Sequence, residues 1–578
     1  MRFINITRLL RITSLVCINM YWQVGISQSA QKSSTDFYKY SSTKNKDCST
    51  AAVVCAHPLA AEAGLIILKH GGNAFDAAIA TQWALAVVYP GAGNLGGGGF
   101  MVAHLSNGKN LALDYREKAP SHASKDMYVD KATGKADTRL SQNGHQASGV
   151  PGTPAGLFAA LAYAKLPMKT LIQPAINLAQ KGFVITAEEA AALNSNKTDF
   201  EKLNTVRPVF VKTNGKWKKG DTLIQKDLAA TLKRIRDKGQ AGFYEGETAK
   251  LIVAEMKRGS GIITPDDLKN YKALNRTPVE FNYKGHEIIS MPPPSSGGIL
   301  LQQMLMMTED KALPQYGFGS VKTVQLLTEV ERLAFADRAE HFGDPDYYKV
   351  PVKTLVDKDY IKMRMANYDS TKAGVSTAVK AGIIKESEET THISVLDGEG
   401  NAVSVTTTLN DSYGSKTVVG KAGFLLNNEM DDFSIQEGVA NMYGAIGGKA
   451  NAIEPGKRML SSMTPTIVLK NNKPFMVVGT PGGTTIITSV LQSIIDVIDF
   501  GMNANDAVNN PKFHHQWQPD QIDVERSFPI ALRNELTAMG YKIVEREAIG
   551  RTEMILVKPN GMLEAAADKR GNDSVAGW

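Results

Sequence analysis

Thr390-Thr391-His392-Ile393-Ser394-Val395-Leu396-Asp397-Gly398-Glu399-Gly400-Asn401-Ala402-Val403-Ser404-Val405-Thr406-Thr407-Thr408 is the stretch on which the reading of this chain turns. Thr391–Leu396 and Ala402–Thr408 are rich in β-branched residues, and Asp397–Asn401 between them is turn-forming. The spacing predicts a β-hairpin. A second strand pair is expected at Thr464–Lys470 and Pro474–Val478, joined by Asn471-Asn472-Lys473, with a mostly apolar helix over Thr484–Phe500 after it. Upstream the pattern is mainly helical. Asn73–Val88 is almost wholly apolar and should be buried on most sides. Thr186-Ala187-Glu188-Glu189 is a capping box, and Thr264-Pro265-Asp266-Asp267 places proline at the first position of another helix. Long amphipathic helices are expected at about 228–238 and 321–340. A helix-rich first two-thirds and a sheet-rich last third that share one core imply helices layered on sheets.

With 578 residues the chain exceeds what one small hydrophobic core accommodates. Its 43% hydrophobic and 21% charged residues are globular composition. Of the net charge of +7, three units come from Arg2, Arg8 and Arg11, and the rest is too thinly spread for a nucleic-acid binder. Those arginines, the uncharged stretch Ile12–Ile26 and the small residues Ser27, Ser29 and Ala30 read as an export signal over residues 1–30. An uncleaved anchor is the alternative. The expected location is periplasmic or secreted, with no transmembrane span after signal removal, since no later segment is apolar for long enough. Residues 31–50 read as a loose leader. Three cysteines (Cys17, Cys48, Cys55) exclude a disulfide scaffold and a zinc ribbon. Cys48 and Cys55 could pair, or Cys55 could serve as a small hydrophobe in a buried strand over Val53–Ala56.

Several chemistries are poorly supported. His286-Glu287 continues into Ile288-Ile289-Ser290 and makes no zinc helix. His514 and His515 are adjacent, so their side chains diverge. Gly414 and Gly420-Lys421 are wrongly spaced for a phosphate loop, and Gly96–Gly99 lacks the dinucleotide spacing. Lys216-Trp217-Lys218-Lys219 reads as a solvated turn. What remains are three segments that place hydroxyls, carboxylates and free backbone amides near strand ends: Thr390–Asp397, Asn427–Phe433, and Leu460–Pro465 with Gly479–Gly483.

Together and in this order they resemble the γ-glutamyltranspeptidase family of N-terminal nucleophile hydrolases. The resemblance runs from about residue 50 to the C-terminus. It includes Gly71–Asp76, Asn94-Leu95-Gly96-Gly97-Gly98-Gly99-Phe100, Asp114–Pro120, Ser148–Gly152 and Pro293–Gly298. It implies an α+β fold, a four-layer αββα sandwich built jointly by two chains. The precursor would cut itself between Glu389 and Thr390, giving a large subunit 31–389 and a small subunit 390–578 that stay together as a heterodimer. An internal threonine hydroxyl has no base beside it. As a chain terminus, Thr390 would own an α-amine whose ordinary pKa near neutrality suits a general base.

The family's other site residues map onto this chain as follows. Thr408 matches a threonine that hydrogen-bonds the nucleophile. Gly482 and Gly483, just before a helix, match the oxyanion hole, where backbone amides face developing negative charge. Arg116, with Ser461 and Ser462, matches the clamp on the substrate α-carboxylate. Asp432, supported by Asn410 and Glu429, matches the partner of the α-ammonium. Residues 438–451, with Tyr443, resemble a lid loop that some members hang over the pocket. The implied activity is γ-glutamyltranspeptidase or glutathione hydrolase, with γ-glutamyl donors such as glutathione and with water, amino acids or dipeptides as acceptors. No metal or organic cofactor is expected. The rivals are a related acylase for glutaryl or poly-γ-glutamyl amides, and an unprocessed, inactive binding protein of the envelope.

Overall fold

Alternating β-branched residues produce the hairpin: in the computed structural model Thr391–Leu396 pairs antiparallel with Ala402–Thr408, setting Val395 opposite Val403. The structure describes residues 36, 39–379, 390–436 and 448–578. The expected signal 1–30, Glu389 and Tyr443 lie outside these residues. Chain contacts divide the protein into units 1–36 and 37–578, and every element described below belongs to the second.

The hairpin lies at the centre of a seven-stranded sheet. Its order is Ser574–Gly577, Ala52–Cys55, Thr391–Leu396, Ala402–Thr408, Gly98–His104, Asn110–Asp114 and Leu274–Arg276. A second seven-stranded sheet runs Asn45–Cys48, Leu563–Ala567, Glu553–Val557, Lys473–Gly479, Thr466–Lys470, His286–Ser290 and Val279–Tyr283. The period of two sorts each strand's side chains to opposite faces. Ile393, Val395, Val403 and Val405 join one core with the helices Pro58–Lys69 and Ala74–Val88. Leu396, Ala402, Val54 and Phe100 turn the other way and meet Ile467, Val477 and Ile555 of the second sheet. That sheet's far face, with Ile288, Val468 and Val478, packs on helices Gly297–Thr308, Val321–His341 and Thr485–Ile498. Helix, sheet, sheet, helix is the four-layer order that the family resemblance implies.

Local signals hold closely. Asn73 and Asp76 form a capping box before Ala74–Val88, and Thr186 with Glu189 and Thr264 with Asp267 do the same for their helices. Lys216, Lys218 and Lys219 are exposed around a half-buried Trp217.

Two expectations change. Strands are not concentrated in the last third: both large sheets interleave strands from before and after residue 390. Helix Val321–His341 is not simply amphipathic, because Glu331, Arg332, Asp337 and Arg338 are buried along with its apolar residues. Of the two readings left open for Cys48 and Cys55, the structure has the second: both are buried free thiols, and Cys55 ends a buried strand. Among the described residues no helix is long and apolar enough to cross a membrane. Among the same residues no group of three or more His, Cys, Asp or Glu is placed to hold a metal.

Candidate active site

Register decides where Thr390 stands. Thr391 is opposite Thr407, so one step further places Thr390 opposite Thr408, whose other neighbour is Gly98. Both threonines are buried. Thr408 Oγ1 accepts the Asn410 backbone N–H at 2.7 Å. The Asn94 amide group donates to the Thr408 carbonyl at 2.8 Å, while its Oδ1 accepts Thr153 Oγ1 at 2.6 Å and the Gly97 N–H at 3.1 Å. At Gly97 a Cβ would lie 2.1 Å from the Thr408 carbonyl oxygen. The glycine run thus exists for close approach: it lets one strand seat itself against the end of the strand carrying Thr408.

Two residues past Thr390, His392 lies between the sheets. Its Nδ1 is 2.9 Å from Thr406 Oγ1 and its Nε2 is 3.1 Å from Ser394 Oγ. Burial pushes its pKa down to about 3, so it is a neutral hydrogen-bonding spacer at physiological pH. Gly479, ending a strand of the second sheet, lies against this ring, for a Cβ there would be 2.1 Å from His392 Cε1. The loop that follows Gly479 is thereby set beside the first residues of the Thr391–Leu396 strand. In it Gly482 and Gly483 have φ of +133° and +56°, backbone that only glycine adopts readily. The helix Thr485–Ile498 starts directly after, with the Thr485 N–H bonded to the Gly482 carbonyl at 3.0 Å. Amides at this corner are suited to a developing oxyanion.

The third part is a buried charge cluster. Arg116 is 1% exposed and forms short ion pairs through Nη1 with Glu429 and through Nη2 with Asp432. Its Nη2 also donates to the Leu460 carbonyl at 3.1 Å, and Glu117 Oε2 lies 3.8 Å from Nη1. Although burial opposes the charge, Glu429 and Asp432 hold the guanidinium firmly protonated. Burial pushes the carboxyl pKa values of Glu429, Asp432 and Glu117 upwards, and their mutual repulsion raises Glu429 and Glu117 further. No other described residue hydrogen-bonds either Glu117 carboxyl oxygen.

Ser461 and Ser462 sit at the edge of this cluster. Ser461 Oγ accepts the Met463 N–H at 3.1 Å, and Ser462 Oγ accepts Arg338 Nη2 at 2.9 Å. Asn410 ties the parts together, since its side chain donates to the Asn428 carbonyl at 3.0 Å, one residue before Glu429. The structure therefore brings Thr390 and Thr408 together, sets the Gly482–Gly483 turn beside their strand, and gathers Arg116, Glu429 and Asp432 in one charge cluster. Three residues of this constellation went unassigned in the sequence. Glu117 stood beside Arg116 in a quoted motif, and Asn94 opened another. Arg338 sits in a long helix and gave no signal at all.

A threonine heading a central strand of an αββα sandwich, with two glycine amides at the next helix start, defines an N-terminal nucleophile hydrolase. Comparison with known proteins narrows the class. A family model described as gamma-glutamyltranspeptidase matches residues 60–578. The glutathione hydrolase proenzyme of Escherichia coli (strain K12) is 46% identical over 524 residues, 90% of each chain. Among solved structures, cephalosporin acylase from Bacillus halodurans superposes with a TM-score of 0.82 at 26% identity, covering 95% of this chain and 99% of that one. Helicobacter pylori gamma-glutamyltranspeptidase gives a TM-score of 0.55 at 45% identity, covering 56% of this chain and 94% of that one. The chain belongs to the γ-glutamyltranspeptidase family.

Proposed function

We propose that this protein is a proenzyme that cleaves itself between Glu389 and Thr390 and then works as a γ-glutamyl transferase and glutathione hydrolase. The signal 1–30 directs it to the periplasm or the exterior. The fragments 31–389 and 390–578 remain a heterodimer because both sheets draw strands from each of them. In the mature form the α-amine of Thr390 takes the proton from its own Oγ as the oxygen attacks the γ-carbonyl carbon. Thr408 orients that hydroxyl, and the amides of Gly482 and Gly483 receive the carbonyl oxygen as it becomes negative. The C–N bond breaks, the leaving amine takes the proton, and a γ-glutamyl ester on Thr390 remains. Water, or the amine of an amino acid or dipeptide, resolves the ester and restores the hydroxyl. This chemistry needs no metal or organic cofactor, and Tyr443 bears on acceptor access.

The observation that carries the substrate class is the pairing of Arg116 with Glu429 and Asp432. An amino-acid end of a donor brings one carboxylate and one ammonium. Entering this cluster, it exchanges the two internal ion pairs of Arg116 for one from Arg116 to its carboxylate and one from its ammonium to Asp432 and Glu429, so each of its charged ends meets an opposite charge. Ser461 and Ser462 supply hydroxyl donors to the carboxylate, and Asn410 supports the ammonium side. The likeness to a cephalosporin acylase favours the rival reading, an acylase for glutaryl or poly-γ-glutamyl amides. Such an enzyme shares Thr390, Gly482 and Gly483 but has no use for the acidic pair. Hydrolysis of γ-glutamyl and glutaryl anilides by the purified protein decides between them. The γ-glutamyl compound is expected to be preferred, and preference for glutaryl would overturn the assignment. An unprocessed, inactive envelope protein would give one full-length band on denaturing electrophoresis instead of two.

A further inference from the structure

Upstream of the hairpin, residues 366–379 form a strap that is mostly exposed: Val375 is 57% accessible, yet Ser376 is fully buried. Such a strap adds little apolar area to any core. Nevertheless a set of buried polar groups grips its last turn, Ser376–Ala378. The Ser376 N–H donates to Asp520 Oδ2 at 2.8 Å, and Arg332 reaches both Ser376 Oγ and Asp520 Oδ1 through Nη1. The indole N–H of Trp517 points at two strap carbonyls, Ser376 at 2.9 Å and Val379 at 3.0 Å. Arg332 is braced in turn by Glu329 at 3.2 Å, whose Oε1 accepts the Gly374 N–H at 3.0 Å and the Tyr541 hydroxyl at 2.6 Å. Trp517 itself is 1% exposed and holds a φ of +68°, a conformation that costs a bulky residue energy and persists only where the surroundings impose it.

Two features distinguish this clamp from ordinary packing. Its grip is on the backbone of the strap, through N–H and C=O groups, so it fixes where the chain runs rather than filling a core. It also crosses position 390: Arg332 and the strap lie before it, Trp517 and Asp520 after it. We propose that Asp520, Trp517 and Arg332 are positioning residues for maturation. They anchor the chain eleven residues ahead of Thr390, fix where it leaves towards the cleaved bond, and afterwards tie the larger fragment to the smaller one. The proposal rests on the reading of Glu389–Thr390 as the cleaved bond. Without the grip of Asp520 and Trp517 the last anchored residue is Gly374, held by Glu329, and the count of residues from there to Thr390 rises from 11 to 16. Chain closure alone then slows cleavage by about twofold.

The test follows conversion of freshly synthesised chain, pulse-labelled in a cell-free system, into its two fragments for Asp520→Ala, for Trp517→Phe and for the two combined. Asp520 is a partly exposed side chain, so that variant perturbs the fold least. Thr371→Ala serves as control, being exposed in the same strap and bonded to Asp369. The expected result is conversion slowed about twofold in the combined variant, less in either single one and unchanged in the control, while the matured fraction keeps the parental kcat/KM on a γ-glutamyl anilide. Conversion of the combined variant at the parental rate would overturn the proposal. So would a kcat/KM and melting temperature that fall together with the conversion rate, since that is general destabilisation. If the parent yields no fragment beginning at Thr390, the cleavage reading itself fails and the proposal fails with it.

Discussion

At the scale of single residues, the Arg116 cluster governs how activity depends on pH. Burial raises the carboxyl pKa of Glu429 and Asp432, and the neighbouring Glu117 raises Glu429 further. Acid therefore neutralises the ammonium partners at a higher pH than for exposed carboxylates. kcat/KM falls on the acid side, chiefly through KM. In Glu117→Gln one of the repelling acids is gone, Glu429 ionises more easily, and the acid limb of the kcat/KM profile moves to lower pH. A limb that stays in place or moves up contradicts the assignment of this cluster to the ammonium. Arg116 was legible because a lone arginine lay in a motif of recognisable order. Glu117 was not, since a carboxylate beside an arginine reads equally well as its surface counter-ion. Only burial without another hydrogen-bonding side chain shows the difference. Arg338, which donates to Ser462 at the edge of the charge cluster, depends on helix packing that no local pattern carries.

At the scale of elements, the hairpin and the strand that carries the glycine run do most of the positioning. Gly97→Ala would drive a Cβ to within 2.1 Å of the Thr408 carbonyl. It is expected to cost more than the ~1–3 kcal/mol of ordinary overpacking and to stop maturation. Differential scanning calorimetry and the ratio of precursor to fragments check this; a normally matured, equally stable variant would show that the close approach is dispensable. The hairpin was legible almost residue for residue, since Thr391–Leu396 and Ala402–Thr408 alternate cleanly around turn residues. Strands such as Asn45–Cys48 and Leu274–Arg276 were not. They are short and polar edge or near-edge strands whose pairing, not propensity, makes them strands. Helix Val321–His341 misled for a related reason: its charged residues are buried in pairs, so polarity did not mark a solvent face.

At the scale of the whole molecule, two interleaved sheets would hold the proposed fragments together, and buried acids tune the stability of the fold. Glu553 is fully buried beside Asp573, and burial followed by that neighbour raises its carboxyl pKa well above the ordinary value. A carboxyl raised in the folded state stabilises fully below its unfolded pKa, and the contribution is lost as pH rises through the folded one. The parental melting temperature should therefore fall with rising pH over that window, and Glu553→Gln should flatten the fall. An unchanged slope would mean that Glu553 keeps its charge paired. The measurement that bears most directly on the central claim is Edman sequencing of the smaller fragment from active protein, together with Thr390→Ala. The account predicts a fragment opening Thr-Thr-His-Ile and an alanine variant that is both uncut and inactive. Active material that is one unbroken polypeptide, or a small fragment that opens at any other residue, would contradict it.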